Sequence, residues 1–152
     1  MVKVTISVDS SKMQNISQHI PEIRKKGLNY AGQGMIRNLM INSPVDHGLL
    51  KQWFVANQDD NEIEIRSPAK YAAFVNDGTG IYGPYKTPIY SKTVGKPLAF
   101  QVGGKMVYTK MIRGQRGQKF VEKSIEQTQG KLANYFIKAV REVLKWELLM
   151  KW

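Results

Sequence analysis

The chain has 152 residues with 23 Lys and Arg against 12 Asp and Glu, a formal net charge of +11, and no cysteine. This length predicts a single domain, residues 1–152, large enough to bury a core without disulfides or a structural metal. The lack of cysteine excludes thiolate metal sites, cysteine nucleophiles and iron–sulfur clusters. The apolar runs are far shorter than a membrane span and the N-terminus lacks a signal peptide's apolar centre, so we expect no membrane segment and no export.

The first part of the chain predicts a strand followed by a long helix. Residues 2–8 alternate between apolar and polar side chains, which is the period of a half-buried strand. From Met13 to Ile41 apolar residues recur every three to four positions, which predicts a helix that restarts at Pro21 and ends at Ser43-Pro44. Three glycines within it are interpreted as sites of close helix packing: Gly27, Gly32 and Gly34.

The middle of the chain predicts antiparallel hairpins and one short helix. Leu49–Ala56 and Glu62–Arg66 have strand patterns and are separated by five turn-forming residues. Ala69–Val75 carries apolar side chains at helical spacing. Leu98–Val102 and Lys105–Tyr108 flank two glycines, a pattern typical of a tight hairpin.

The last part of the chain predicts a second long helix. It runs from Gln118 to about Lys145 with an apolar stripe, and Gly130 is predicted to be a bend or a close-contact point. Residues 146–152 add two tryptophans and two leucines. Such a tail either caps the core or docks on another subunit, and we favour docking. The predicted fold class is α+β, with a small antiparallel β-sheet packed against two long helices and a long basic Gly/Pro-rich loop.

The positive charge is unevenly distributed. Residues 1–60 carry seven basic residues against five acidic ones, whereas residues 61–152 carry 16 against seven. Residues 78–121, a predicted basic loop and hairpin region, contain eight of the 13 glycines and no acidic residue. We predict that the region contacts an acidic protein surface or a polyanion, and a solvated loop that keeps the chain soluble is the alternative. Its basic residues are Lys86, Lys92, Lys96, Lys105, Lys110, Arg113, Arg116 and Lys119.

No pattern in the sequence predicts catalysis, cofactor binding or a metal site. Gly78–Gly83 matches G-x-G-x-x-G, but Pro84 follows where a dinucleotide site needs a helix, and the next acidic residue is Glu122. The two histidines lack the spacing of metal ligands, and no G-x-S-x-G elbow is present. We therefore expect a protein that is not an enzyme, with no catalytic residues and no cofactor.

Three short segments of the chain have the pattern of one protein family. Asn42–Lys51 (NSPVDHGLLK) resembles (A/S)-P-V-D-T-G-x-L-(R/K), and Tyr71–Gly80 (YAAFVNDGTG) resembles Y-A-x-(Y/F)-V-E-x-G-T. Gln118–Val121 (QKFV) is similar to (P/Q)-x-F-(L/V), and the order and spacing agree over about residues 40–145. These segments resemble the tail-component family of long-tailed double-stranded DNA phages, typified by the tenth gene product of lambdoid phage HK-97. The chain departs from the pattern at His47, Asn76 and Lys119. The matching positions, which the resemblance makes structural, are Pro44, Val45, Asp46, Gly48, Leu50, Tyr71, Ala72, Val75, Gly78, Thr79 and Phe120.

The resemblance implies a structural virion protein of a tailed double-stranded DNA phage or prophage that acts in tail completion or head–tail joining at the neck. It implies a homo-oligomeric ring, hexameric in the virion, that meets neighbouring neck or tail proteins after assembly in the host cytoplasm. The basic region would then face acidic subunits or the DNA in the lumen. The alternative is a basic nucleic-acid-binding module, because Tyr82, Tyr85 and Tyr90 interleave with the basic residues of 78–121.

Overall fold

The computed structural model of the chain describes residues 10–45 and 48–150, with side chains for 17–45 and 48–145. The predicted strand at residues 2–8, together with Asp46 and His47, lies outside the described residues. The side chains of the predicted docking tail, residues 146–152, lie outside them as well.

Helices and short strands alternate along the described part of the chain. Two 3-10 helices occupy Leu49–Lys51 and Gly80–Tyr82. The α-helices are α1 (Ser10–Asn42), α2 (Ala72–Asp77), α3 (Phe120–Gln129) and α4 (Leu132–Met150). The strands are β1 (Phe54–Gln58), β2 (Ile63–Arg66), β3 (Ile89–Tyr90), β4 (Leu98–Val102), β5 (Lys105–Thr109) and β6 (Met111–Ile112).

The strands form three separate antiparallel pairs, β1–β2, β3–β6 and β4–β5, among the described residues. The α+β class is confirmed, but the predicted single sheet is wrong. The β4–β5 hairpin turns at the two predicted glycines with Val102 opposite Lys105. The β1–β2 pair has an irregular register between Val55 and Asn57, where a bulge adds local twist.

The helix ends differ from the prediction in two places. α1 is one helix of 33 residues, so the predicted restart at Pro21 is wrong. Proline removes one backbone donor from the helix, and the periodic apolar face that continues beyond Pro21 keeps the helix intact. The predicted bend at Gly130 is a full break, because α3 ends at Gln129 and α4 begins at Leu132.

Two of the shorter elements are shifted relative to the prediction. Within the predicted strand Leu49–Ala56, the first residues form a 3-10 helix and the strand begins at Phe54. Gly48 precedes that 3-10 helix with φ of 76°, a left-handed conformation that glycine adopts without a steric cost. The short helix begins at Ala72, later than the predicted start, and ends at Asp77.

The chain divides into two compact units, each built from separate stretches of sequence. The first contains the described parts of Met1–Asn38, Phe54–Arg66 and Ile125–Trp152. Its α1 glycines are packing sites, as predicted: an added Cβ would lie 2.4 Å from the Phe136 ring at Gly27 and 2.3 Å from Ile63 Cδ1 at Gly32. Its buried apolar residues are Ala31, Ala139 and Val143.

The second unit consists of the described residues of Leu39–Trp53 and of Ser67–Ser124. Leu39, Leu50 and Phe120 are buried. The Trp53 ring meets the Phe120 ring edge-on, with centroids 6.3 Å apart, and its Nε1 donates a hydrogen bond to Ser43 Oγ at 3.2 Å. The single-domain organisation stays a prediction.

Candidate assembly surface

Two segments of the second unit, residues 75–81 and 113–121, run side by side, and we call the pair the clamp. The N–H of Thr79 donates to the Gln115 carbonyl at 2.8 Å, and the N–H of Ile81 donates to the Arg113 carbonyl at 2.8 Å. At the other end, the N–H of Gln118 donates to the Val75 carbonyl at 2.9 Å. Residues 82–112, here called the excursion, therefore begin and end at the two hydrogen-bonded segments of the clamp.

Glycines make the close approach of the two clamp segments sterically feasible. A Cβ on Gly80 would lie 2.1 Å from the Arg113 carbonyl oxygen, and one on Gly114 would lie 2.1 Å from the Thr79 oxygen. A Cβ on Gly117 would lie 2.4 Å from the Asn76 carbonyl oxygen. The glycines therefore serve a backbone-to-backbone contact.

Asn76 connects the end of α2 to the start of α3. Its side chain is buried, its Oδ1 accepts a hydrogen bond from the Val121 N–H at 2.9 Å, and its Nδ2 donates to Asp77 Oδ1 at 2.9 Å. The N–H of Lys119 donates to the Asn76 carbonyl at 3.1 Å. Asn76 thus retains an acceptor oxygen where the resembling family has an acidic residue, and it satisfies one of the free donors at a helix N-terminus.

The carboxylate of Glu122 lies in the first turn of α3. Hydrogen bonding to its own backbone N–H lowers the pKa of the Glu122 carboxyl below its usual value, and hydrogen bonds from Asn76 and Lys119 add to this. Lys119 Nζ lies 3.4 Å from Glu122 Oε1 and 3.6 Å from Asp77 Oδ1. Lys119 is therefore paired within the clamp, unlike the other predicted basic residues.

The eight predicted basic side chains are all exposed, but they do not lie on one long loop. The stretch contains four short strands, so the predicted long basic loop is not what the structure has. The guanidinium of Arg116 lies over the Tyr82 ring, 5.4 Å from its centroid. Within the described residues six of the eight form neither an ion pair nor a cation–π contact: Lys86, Lys92, Lys96, Lys105, Lys110 and Arg113. We call these six residues the basic surface.

The β4–β5 hairpin within the excursion exposes apolar side chains on both faces. Val102 and Val107 lie on one face, and Met106 and Tyr108 lie on the other. Tyr108 is 66% exposed. An isolated two-stranded hairpin is marginally stable in water, and apolar surface beside charged residues is typical of a surface that a partner covers.

A groove of about 540 Å³ lies beside the clamp. α2 contributes Phe74 and Asp77, and the chain beyond the clamp contributes Pro84, Tyr85 and Ile89. Tyr85 is 88% exposed. All three tyrosines that interleave with the basic residues are exposed, and Tyr82 also contacts Arg116.

The segments that resemble the phage family lie in the second unit. Leu50 and Phe120 are buried there, and Tyr71, Ala72 and Val75 are half-buried. Gly78 and Thr79 belong to the clamp. Pro44 is half-buried and Val45 is exposed, so Val45 does not join Leu50 and Phe120 in the core of this unit.

The sequence analysis missed one charged feature, the β1–β2 hairpin. It carries Asp59, Asp60, Glu62 and Glu64, four of the chain's 12 acidic residues. Counting charge in short windows would have identified it, because these four residues fall within six positions. Elsewhere, a search of the described residues finds no cluster of three or more acidic or histidine side chains suited to a metal ion.

Comparison of the chain with protein families, curated proteins and solved structures finds no match. None of the helices in the described residues is long and apolar enough to cross a membrane. The function proposed below is therefore based on the geometry of the second unit and on the resemblance of the three segments.

Proposed function

We propose that the chain is a non-enzymatic structural virion protein of a tailed double-stranded DNA phage or prophage. In this role it acts in tail completion or head–tail joining at the neck, as a hexameric ring of identical copies. The observation that carries the proposal is the excursion, which presents the basic surface and a two-faced apolar hairpin from a rigid base. The resemblance of three ordered segments to the phage tail-component family supplies the biological setting.

A subunit of a closed oligomeric ring needs a firm body and a surface that meets a different surface on the next copy. The clamp holds both ends of the excursion through backbone hydrogen bonds of 2.8 to 2.9 Å. The β4–β5 hairpin leaves Val102, Met106 and Tyr108 accessible for burial against a neighbour. These features suit a structural subunit that meets neck or tail proteins and assembles in the host cytoplasm before joining the virion.

The proposal is tested by deleting the chain's coding sequence from the phage or prophage and examining the particles by electron microscopy. We expect filled heads and free tails to accumulate in place of joined virions. A plasmid copy of the wild-type chain should restore joined particles, which controls for effects on neighbouring genes. Normal tailed virions without the chain would contradict the proposal.

A second function, nucleic-acid binding, is favoured by the exposed tyrosines among the basic residues. Tyr85 and Tyr90 lie on the surface of the same unit as the lysines, and stacking aromatics beside cations are what single-strand surfaces use. The test is binding to single-stranded and duplex DNA as salt is varied, with Tyr85→Ala as a stacking variant. A steep loss of affinity between about 50 and 200 mM salt would support this function.

A further inference from the structure

The chain carries a second charged surface, whose sign is opposite to that of the first. The hairpin formed by residues 54–66, here called the acidic hairpin, holds four carboxylates against the single basic residue Arg66. The remainder of the chain is strongly basic, since the total net charge is +11. A local excess of negative charge in such a basic chain is a distinct feature, and it is suited to binding a positively charged surface.

The turn of the acidic hairpin is fixed by hydrogen bonds of its own and by Arg24 of α1, whose Nη1 donates to Asn61 Oδ1 at 2.5 Å. Asp59 Oδ1 accepts from the N–H groups of Asn61 and Glu62, both at 2.7 Å. The N–H of Asp59 donates to the Glu62 carbonyl at 3.0 Å. The carboxylates near the tip are therefore presented from an ordered turn.

Two carboxylates of the acidic hairpin are available to a partner. Glu64 Oε1 is bound by Arg66 Nε at 2.7 Å, and Asp59 caps the turn. Asp60 and Glu62 are exposed, and neither forms an ion pair among the described residues. The same hairpin also exposes apolar area, at Phe54 and Val55.

The basic surface has the complementary character. Its six cations form no ion pair within the described residues, and Lys105 lies on β5 opposite the exposed Val102, on the same face of the hairpin. Lys110 follows in the connection from β5 to β6. Each of the two surfaces thus joins charge of one sign to exposed apolar side chains on a two-stranded hairpin.

We propose that the acidic hairpin of one copy docks on the basic surface around the β4–β5 hairpin of a second copy. The inference rests on the oligomeric ring proposed above and names the two surfaces that meet in it. The surfaces differ, so the contact is heterologous, and its repetition from copy to copy closes into a ring when the rotation allows. Opposite potentials set the register and speed encounter, and burial of Val102, Val107 and Phe54 supplies the apolar contribution.

A second copy fits the basic surface better than DNA does. The phosphate backbone would satisfy the lysines but would leave the exposed Val102 and Val107 of the β4–β5 hairpin uncovered. A protein surface with both carboxylates and apolar side chains satisfies both features, and the chain itself carries one.

The test uses two charge-reversal variants of the full-length chain. Asp60→Lys/Glu62→Lys reverses the acidic hairpin and spares Asp59, which caps the turn. Lys105→Glu/Lys110→Glu reverses the basic surface. We expect each variant alone to self-associate at least tenfold more weakly than wild type at about 50 mM salt, measured by analytical ultracentrifugation.

Mixing the two variants provides the decisive measurement. The reversed hairpin of one variant is then complementary to the reversed basic surface of the other, so an equimolar mixture should regain wild-type association. Lys25→Glu/Lys131→Glu is the matched control for the basic surface, since it makes the same change in net charge as Lys105→Glu/Lys110→Glu at exposed positions on α1 and before α4. We expect this control to associate like wild type.

Three results would overturn the inference: a wild-type chain that stays monomeric at low salt, variants that associate like wild type, or a mixture that stays dissociated. A Lys105→Glu/Lys110→Glu variant that loses only DNA binding would assign the basic surface to nucleic acid instead. The deletion experiment judges the neck function separately. Normal virions without the chain would reject that function even if the two surfaces pair as proposed.

Discussion

The side-chain oxygen of Asn76 accepts a hydrogen bond from the backbone N–H of Val121 at 2.9 Å, across 45 residues of chain. Asn76 is only 7% exposed, so water cannot readily replace this bond. The contact joins the end of α2 to the beginning of α3, and the backbone bonds of the clamp continue from it. It therefore couples the N-cap of α3 to the position of the excursion.

Asn76→Ala should destabilise the chain by about 1–2 kcal/mol, because it leaves a helix N-terminal donor without its acceptor. The measurement is the free energy of unfolding from denaturant titration. Asn57→Ala, at an exposed asparagine of β1, is the matched control and should change stability by less than about 0.5 kcal/mol. Equal effects of the two substitutions would contradict the capping role of Asn76.

Gly80→Ala should cost more stability than Gly95→Ala, although both glycines have a positive φ, 63° and 79°. Left-handed backbone costs an alanine about 1 kcal/mol at either position. At Gly80 the new Cβ would also lie 2.1 Å from the Arg113 oxygen, whereas at Gly95 it would meet open space. We expect a difference of about 2 kcal/mol or more by denaturant titration, since the clamp must move apart. A difference near zero would mean that the clamp is not rigid.

Stability should fall in acid partly through Glu122. The pKa of this carboxyl is lowered in the folded chain, chiefly by the backbone N–H at its own position, so the charged form is favoured by folding. Its contribution is complete above the ordinary value of 4.5 and is lost as the pH falls through the lower folded pKa. The stability difference between wild type and Glu122→Gln should therefore shrink as the pH falls. A difference that stays constant with pH would contradict the lowered pKa.

Tyr30 should ionise at a higher pH than an ordinary tyrosine. Its hydroxyl donates a hydrogen bond to Glu142 Oε2, and this bond raises the pKa of the Tyr30 phenol above 10.0. The neutral hydroxyl is favoured by folding, so its contribution is complete below 10.0 and is lost as the pH rises through the folded pKa. Ultraviolet titration of wild type against Tyr30→Phe isolates this group, and Glu142→Gln should lower its pKa.

The local patterns predicted more of the fold than of its long-range pairings. The spacing of apolar residues predicted α1, and the two glycines at 103 and 104 predicted the β4–β5 turn. By contrast, the pairing of β3 with β6 depends on residues about twenty positions apart in the chain, and no short window contains it. The predicted single sheet was therefore wrong, although β2, β4 and β5 lie where the sequence predicted strands.

The candidate site divides in the same way between local and long-range features. The basic residues and the glycines of 78–121 were visible in the sequence, because charge and composition need no partner to be counted. The clamp was not, since the approach of Gly80 to Arg113 and of Asn76 to Val121 joins segments that only the fold brings together. The clamp glycines admit a second backbone segment, and no local pattern at Gly78–Gly83 predicts that role.

Arg113→Glu/Arg116→Glu should leave the subunit folded and block its incorporation into particles. Both side chains are exposed, and the clamp uses the backbone of Arg113 and not its guanidinium. The folded state loses only the contact of Arg116 with Tyr82, worth about 0.5–1 kcal/mol at an exposed site. The measurement is the amount of variant chain in purified particles relative to wild type, with Lys25→Glu/Lys131→Glu as the control of equal charge. We expect the incorporated amount to fall at least tenfold for the arginine variant and to stay unchanged for the control, because two repulsive charges at an interface disfavour association. Normal incorporation of the arginine variant would reject this surface as the assembly contact.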